Sequence, residues 1–342
     1  MPIELILASG AKSIRLCDTT DNHILEGEVY LPRNLCNIVK SSYGEAISGK
    51  SPYFNAVDLI VGETTCDGKK KMLEYLRDVK PTFVMQLPQR NEGEEEYLLW
   101  KNEIKRLRKE LEQKFDVEIT NGMLQNAIKK KNEERLILKK LHESWLDNPT
   151  ILSTSDIYSI LSNFNYRMDK ELALEDIKEV INIIKNEPIS NNYKKSKAPR
   201  ILLTGCHLGE KMDRIIDIIE ESGGNIACIE TCDWMKVNED LVREDIDPID
   251  ALTEKYLNIA CPVMTPNYNR FNLISKIIDD YGINGVINLV FQACLTYSVE
   301  SIPLKRFVTE DKDIAYMNIE TNLTKSDVGQ LRTRAEAFIE MM

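Results

Sequence analysis

Leu59-Ile60-Val61-Gly62-Glu63-Thr64-Thr65-Cys66-Asp67-Gly68-Lys69-Lys70-Lys71-Met72 is the stretch whose reading decides the fold. Its apolar start reads as a buried strand and its end as the first turn of a helix, with Cys66 at the junction. In an open parallel sheet that junction lies on the carboxyl edge, where ligands bind. Thr64 or Thr65 is placed to cap the helix, and Gly68 permits close backbone approach. Lys69, Lys70 and Lys71 set positive charge beside whatever Cys66 holds. Cys206, Cys232 and Cys294 each repeat this placement after an apolar run.

Working outward from that stretch, residues 3–11 predict a helix ending in a Gly turn, and residues 13–17 a strand. Residues 30–36 form a loop leading to a helix through 41–48 with Gly49 as its stop, and 58–61 and 81–88 predict strands. From Glu92 the character changes: 94–115, 119–146 and 172–185 carry a helical apolar period, broken at Asp147-Asn148-Pro149. Residues 200–206, 225–230, 285–290 and 313–319 predict strands again, and 212–223 and 327–341 predict helices. The pattern predicts an α/β fold of two doubly wound, Rossmann- or flavodoxin-like domains with parallel sheets. Their boundaries are 1–91 and 191–342, with a helical segment at 92–190 that closes or bridges the first domain. The Asn-, Ser- and Lys-rich run 186–199 marks the boundary before the second domain.

Composition narrows the function classes. The formal charge of −11 argues against a nucleic-acid partner, because phosphate contacts need clustered Lys and Arg. The basic runs 101–114, 129–131 and 194–197 read as solvated faces or linker. No apolar run approaches the ~18 residues that span a membrane. No signal peptide is visible, so a cytoplasmic protein is expected.

Eight cysteines in a reducing compartment do not predict a disulfide framework. Cys17 and Cys228 lie inside strand-like runs and read as small core hydrophobes. Cys36, Cys66, Cys206, Cys232, Cys261 and Cys294 lie at strand ends or in loops, where thiolates serve as ligands or nucleophiles. If the two domains face each other, all six converge on the cleft between them. Such a set suits an iron–sulfur centre. Zinc is the alternative for clustered cysteines, although the paired short spacings of structural zinc sites are missing.

Other motifs are weaker. Residues 62–69 have one residue too many between the glycines for a P-loop, and no Ser or Thr follows the lysine. With only His23, His142 and His207 a histidine-based triad has little support, and no GxSxG occurs. His207 follows Cys206 directly and is a candidate proton donor or an ordinary turn residue. Glu63, Glu230, Glu300 and Glu320 sit near strand ends; Glu63 and Glu300, with His207, are the acid–base candidates.

Four stretches carry a resemblance in one order along the chain: 62–72 as quoted, Leu31-Pro32-Arg33-Asn34-Leu35-Cys36, the run from Gln292-Ala293-Cys294 to Ser301, and Gly329-Gln330-Leu331-Arg332-Thr333-Arg334-Ala335-Glu336-Ala337-Phe338. Together they resemble the 2-hydroxyacyl-CoA dehydratase D-component and benzoyl-CoA reductase family, closest to its double-cubane cluster branch. The resemblance implies that Cys36, Cys66 and Cys294 match the positions that hold one [4Fe–4S] cluster in the dehydratases. Cys206, Cys232 and Cys261 match the additional cysteines of the double-cubane branch, where two cubanes share a bridging sulfide. It further implies a low-potential iron–sulfur reductase component, charged by a separate ATP-hydrolysing activator protein and acting on a small molecule as a homodimer. Two readings stand beside this one. The first is a 2-hydroxyacyl-CoA dehydratase subunit with a single [4Fe–4S] cluster, and the second is a non-enzymatic cluster carrier or electron relay.

Overall fold

The computed structural model describes residues 1–16, 20–149, 151–187, 198–207, 213–232, 235–322 and 327–342. It is an α/β protein with two parallel sheets. The first pairs β1 (Ile60–Glu63) with β2 (Thr82–Met85). The second contains β3 (Arg200–Gly205), β4 (Asn225–Glu230), β5 (Gly285–Phe291) and β6 (Ala315–Thr321), in the order β4-β3-β5-β6. The strand that comes first in sequence lies inside this sheet, with later strands on both sides. The connections therefore reverse direction at β3, the point where open α/β sheets bind ligands beyond their carboxyl ends.

Burial explains the strands. Every residue of β4 and β5 is buried, as is β3 after Arg200. That is the continuous apolar run expected of a parallel sheet covered on both faces. The helices Asp213–Glu221 and Val328–Glu340 cover one face through Ile215, Ile216, Ile219, Leu331 and Phe338. The other face takes Tyr268–Tyr281 and the long central helices through Leu138, Leu141, Ile177, Ile274 and Ile277.

The first sheet has little apolar surface of its own and draws its core from elsewhere. Trp100, Ile104, Leu107 and Leu111 of Glu94–Phe115, and Leu124 and Ile128 of Asn121–Asp147, share one cluster with Leu5 and Met85. The same cluster contains Val242, Ile249, Leu252, Leu257 and Met264. After β4 the chain therefore leaves the second sheet, packs Pro248–Leu257 against the first unit, and returns to form β5. Buried polar contacts fix this return. Arg135 pairs with Glu4 at 2.7 Å, Tyr256 donates to Glu4 at 2.8 Å, and Asn132 donates to the Val242 carbonyl at 2.8 Å.

Several expectations change in detail. Residues 13–16 form no strand, and Cys17 lies outside the described residues, as do residues 188–197 of the 186–199 boundary run. The break at Asp147-Asn148-Pro149 is followed by a helix the apolar period did not predict, Thr154–Tyr166. Its start is a capping box between Ser153 and Asp156.

Candidate functional site

Cys66 itself, and neither threonine, caps the helix Asp67–Leu76: its Sγ accepts the Lys69 amide at 3.5 Å. Thr64 is occupied elsewhere, its Oγ1 accepting the Leu87 amide at 3.0 Å. Cys36 holds the same N-cap position before Asn37–Ser48, and Cys294 before Leu295–Arg306. Three of the six cysteines thus stand at helix N-termini, where unpaired amides and the helix dipole favour a thiolate. Ala293, at φ 65°, is in the left-handed region and makes the tight turn from β5 into Cys294. Gly68 has a packing role: a Cβ there would stand 2.7 Å from Cδ1 of Leu35, so its absence seats the Cys36 loop on the Cys66 helix.

The other three cysteines follow a different logic. Cys206 ends β3, is buried, and its Sγ accepts the Phe291 amide at 3.3 Å. Cys232 follows β4, and its carbonyl accepts from the Arg15 guanidinium at 3.5 Å. Cys261 lies in the loop after Pro248–Leu257, which is tied to the first unit by the Thr265 amide donating to the Gln89 carbonyl at 2.7 Å. Cys228 is buried within β4 as a core residue.

Thiol-to-thiol interactions link these groups. Cys36 interacts with the side chain of Cys294, which with burial holds its thiol well above the usual range. Cys294 interacts in turn with Cys206 and is pushed up to about 12. Burial and the neighbouring Cys232 push Cys261 up to about 11, and Lys69, on the first turn after Cys66, also acts on Cys261. Five of the six are thus linked to a neighbouring cysteine, Cys36, Cys294 and Cys206 in one run and Cys232 with Cys261 in another, and they come from different cores: Cys206 and Cys294 belong to one, Cys36 to another and Cys261 to a third. Cys36, Cys261 and Cys294 are thereby favoured as neutral thiols.

Beneath the thiols lies a buried polar network. Arg270 pairs with Glu300 and lies 3.6 Å from Glu230, and its guanidinium donates to Thr204 at 3.0 Å. Lys236 pairs with Glu230 at 3.2 Å and donates to the hydroxyl of Tyr297. Arg270 and Lys236 both face the Tyr297 ring, 4.9 and 4.8 Å from its centre. The Tyr297 hydroxyl is 3.7 Å from Sγ of Cys232. Two buried cations face two buried carboxylates, which is how an interior tolerates such groups.

The acid–base candidates are distributed around this centre. Glu300 is part of the network, bonded to Arg270 and Asn267. His207 directly follows Cys206 at the end of β3. Burial works to raise the Glu63 carboxyl, but the Met1 ammonium at 2.8 Å and Lys69 at 3.3 Å outweigh it and lower it to about 2. A carboxylate held that low has little affinity for a proton. The lysine run is less of an anion site than its sequence suggests, since Lys70 pairs with Asp67 and Lys71 with Glu74, both at 2.8 Å.

Sequence reading missed Tyr297, Lys236 and Arg270. Tyr297 carried a usable signal: it lies three residues after Cys294, so one helical turn brings it back beside that cysteine. Lys236 and Arg270 are joined to it only by the fold.

A family model described as 2-hydroxyglutaryl-CoA dehydratase, D-component, matches residues 1–342. The chain belongs to the 2-hydroxyglutaryl-CoA dehydratase D-component family. Within this D-component family it is 42% identical to YjiM of Escherichia coli (strain K12), provisionally named a dehydratase subunit, over all of this chain and 89% of that protein. It is 21% identical to the lactoyl-CoA dehydratase subunit beta of Anaerotignum propionicum, again over all of this chain and 89% of that protein. Among the described residues no helix is long and apolar enough to cross a membrane.

Proposed function

We propose that this D-component family member is an iron–sulfur reductase component. In this reading Cys36, Cys66, Cys294, Cys206, Cys232 and Cys261 hold a double-cubane [8Fe–9S] cluster. A separate ATP-hydrolysing activator delivers the electrons, a small molecule is reduced, and the chain works as a cytoplasmic homodimer. The observation that carries the reading is the run of neighbouring thiols Cys36–Cys294–Cys206, together with the pair Cys232 and Cys261 that act on each other. Among the described residues no three His, Cys, Asp or Glu side chains are grouped to hold a single ion. A polynuclear cluster asks for a wider spread, because its thiolates bind different irons.

Such a cluster, when bound, supplies single electrons at low potential. The chain's own residues do the rest. Helix N-termini behind Cys36, Cys66 and Cys294 stabilise thiolate charge. Burial of Cys206 and the hydrogen bond donated to it by the Phe291 amide keep water from that ligand. His207 is the group next to the thiols that can hold or pass a proton, while Glu300 acts by fixing Arg270 beneath Tyr297.

The names of the two relatives favour a second reading, a dehydratase subunit with one [4Fe–4S] cluster on Cys36, Cys66 and Cys294 that acts on a CoA thioester. Iron and sulfide content after anaerobic purification separates the two. About eight irons per chain, falling in Cys206→Ser, are expected for the double cubane. About four irons, unchanged by Cys206→Ser, would establish the dehydratase-type site instead. Zinc in place of iron would overturn both.

A further inference from the structure

We propose that Tyr297 is a positioning residue whose hydroxyl, oriented by Lys236, donates a hydrogen bond to the Cys232 thiolate and raises the reduction potential of the cluster held there. The proposal rests on the iron–sulfur reading and adds to it a residue outside the cysteine set.

The direction of the bond follows from counting hydrogens. A lysine ammonium has three hydrogens and no lone pair, so between Lys236 and Tyr297 the phenolic oxygen must accept. The single proton of Tyr297 is thereby left over, and Sγ of Cys232 stands 3.7 Å from the same oxygen. A metal-bound cysteine has no proton of its own, so the tyrosine is the donor in the loaded protein.

The arrangement is held from behind. Lys236 cannot swing away because Glu230 pairs with it at 3.2 Å, and Glu230 is itself bonded by Thr204 and faced by Arg270 at 3.6 Å. Arg270 also stacks on the tyrosine ring, its centre 4.9 Å from the guanidinium. Lys236, Glu230, Thr204 and Arg270 are all buried. With water kept away from this network, solvent does not compete for the phenolic proton. A hydrogen bond to a ligand sulfur stabilises the extra negative charge of the reduced cluster, which raises its potential.

The test compares wild type with Tyr297→Phe, both purified anaerobically. Iron and sulfide are measured first; the midpoint potential then comes from a reductive titration followed by electron paramagnetic resonance. Resonance Raman spectra are taken in light and heavy water. The expected result is iron equal to wild type, a midpoint shifted to lower potential, and loss of one deuterium-sensitive Fe–S(Cys) band shift. Equal iron with midpoint and band shift unchanged would overturn the proposal. Wild type without iron would instead overturn the cluster reading beneath it. If Tyr297→Phe fails to retain iron, Lys236→Gln makes the same measurement with the hydroxyl in place. The proposal expects a lowered midpoint and a lost shift where the glutamine carbonyl takes the phenolic proton, and in wild type itself a deuterium-sensitive Fe–S(Cys) band, whose absence would overturn the proposal.

Discussion

The two sheets use one local recipe, an apolar strand followed by a cysteine, but they support it differently. In the second sheet the strands themselves are the core: β4 and β5 are buried throughout, and Cys206, Cys232 and Cys294 sit at their ends. In the first, β1 alternates buried and half-buried residues, and β2 is buried only at Met85. What steadies that sheet is helical packing, part of it from residues 242–264. An edge built by its own strands tolerates little change. An edge propped by neighbouring helices can adjust, because side chains rather than backbone make the close contacts.

Glycine substitutions next to the cysteines test that contrast most severely. Gly205 precedes Cys206 at φ 122°, and a Cβ there would meet the Leu289 backbone oxygen at 2.0 Å. Gly205→Ala forces β3 from β5, and more than about 4 kcal/mol of destabilisation is expected, in the range single substitutions reach only exceptionally. Urea unfolding of the purified variant checks this, and a midpoint near wild type would show the second sheet to be as yielding as the first.

Acid weakens the second sheet through His142. This residue of Asn121–Asp147 is buried, with Nε2 3.2 Å from the Ala227 carbonyl of β4. Burial lowers it from 6.5 to about 4, so the unfolded chain binds the proton more tightly than the folded one. Stability is therefore full above pH 6.5 and falls as the pH drops towards 4, by about 3 kcal/mol in all. Chemical denaturation at a series of pH values should show this slope in wild type and lose it in His142→Gln. An equal slope in both would place the acid sensitivity elsewhere.

Gly68→Ala, beside Cys66, is expected to cost least. The added methyl meets the Leu35 side chain, which can rotate, so about 1 kcal/mol is expected, the low end of overpacking. Urea midpoints of this variant and Gly205→Ala, measured side by side, sharpen the comparison; equal losses would dissolve it.

Those differences also explain what could be read ahead of the structure. Runs such as Arg200–Gly205 and Asn225–Glu230 are strands where they are expected, because their unbroken apolar middles, Ile201-Leu202-Leu203 and Ile226-Ala227-Cys228-Ile229, suit a covered parallel sheet. Residues 13–16 mimic a strand by alternation alone, yet Arg15 is engaged with the Cys232 carbonyl. The cap on Asp67–Leu76 was assigned to threonine because sulfur is not a usual capping atom, and the fold shows Cys66 in that role. The cysteines were legible individually through their place after strands. The network of Glu230, Lys236, Arg270 and Tyr297 was not, because its members come from three separate helices and a strand end with no shared spacing.

The return of 242–264 into the first unit sets a timetable for synthesis. Leu5, Met85 and Trp100 leave the ribosome early, yet Leu252, Leu257 and Met264, which complete their core, emerge only after β3 and β4 have been made. The nascent first unit must wait, incomplete, until residue 264 has been made. Cys36 likewise meets Cys294 only after the whole of the chain between them has been made.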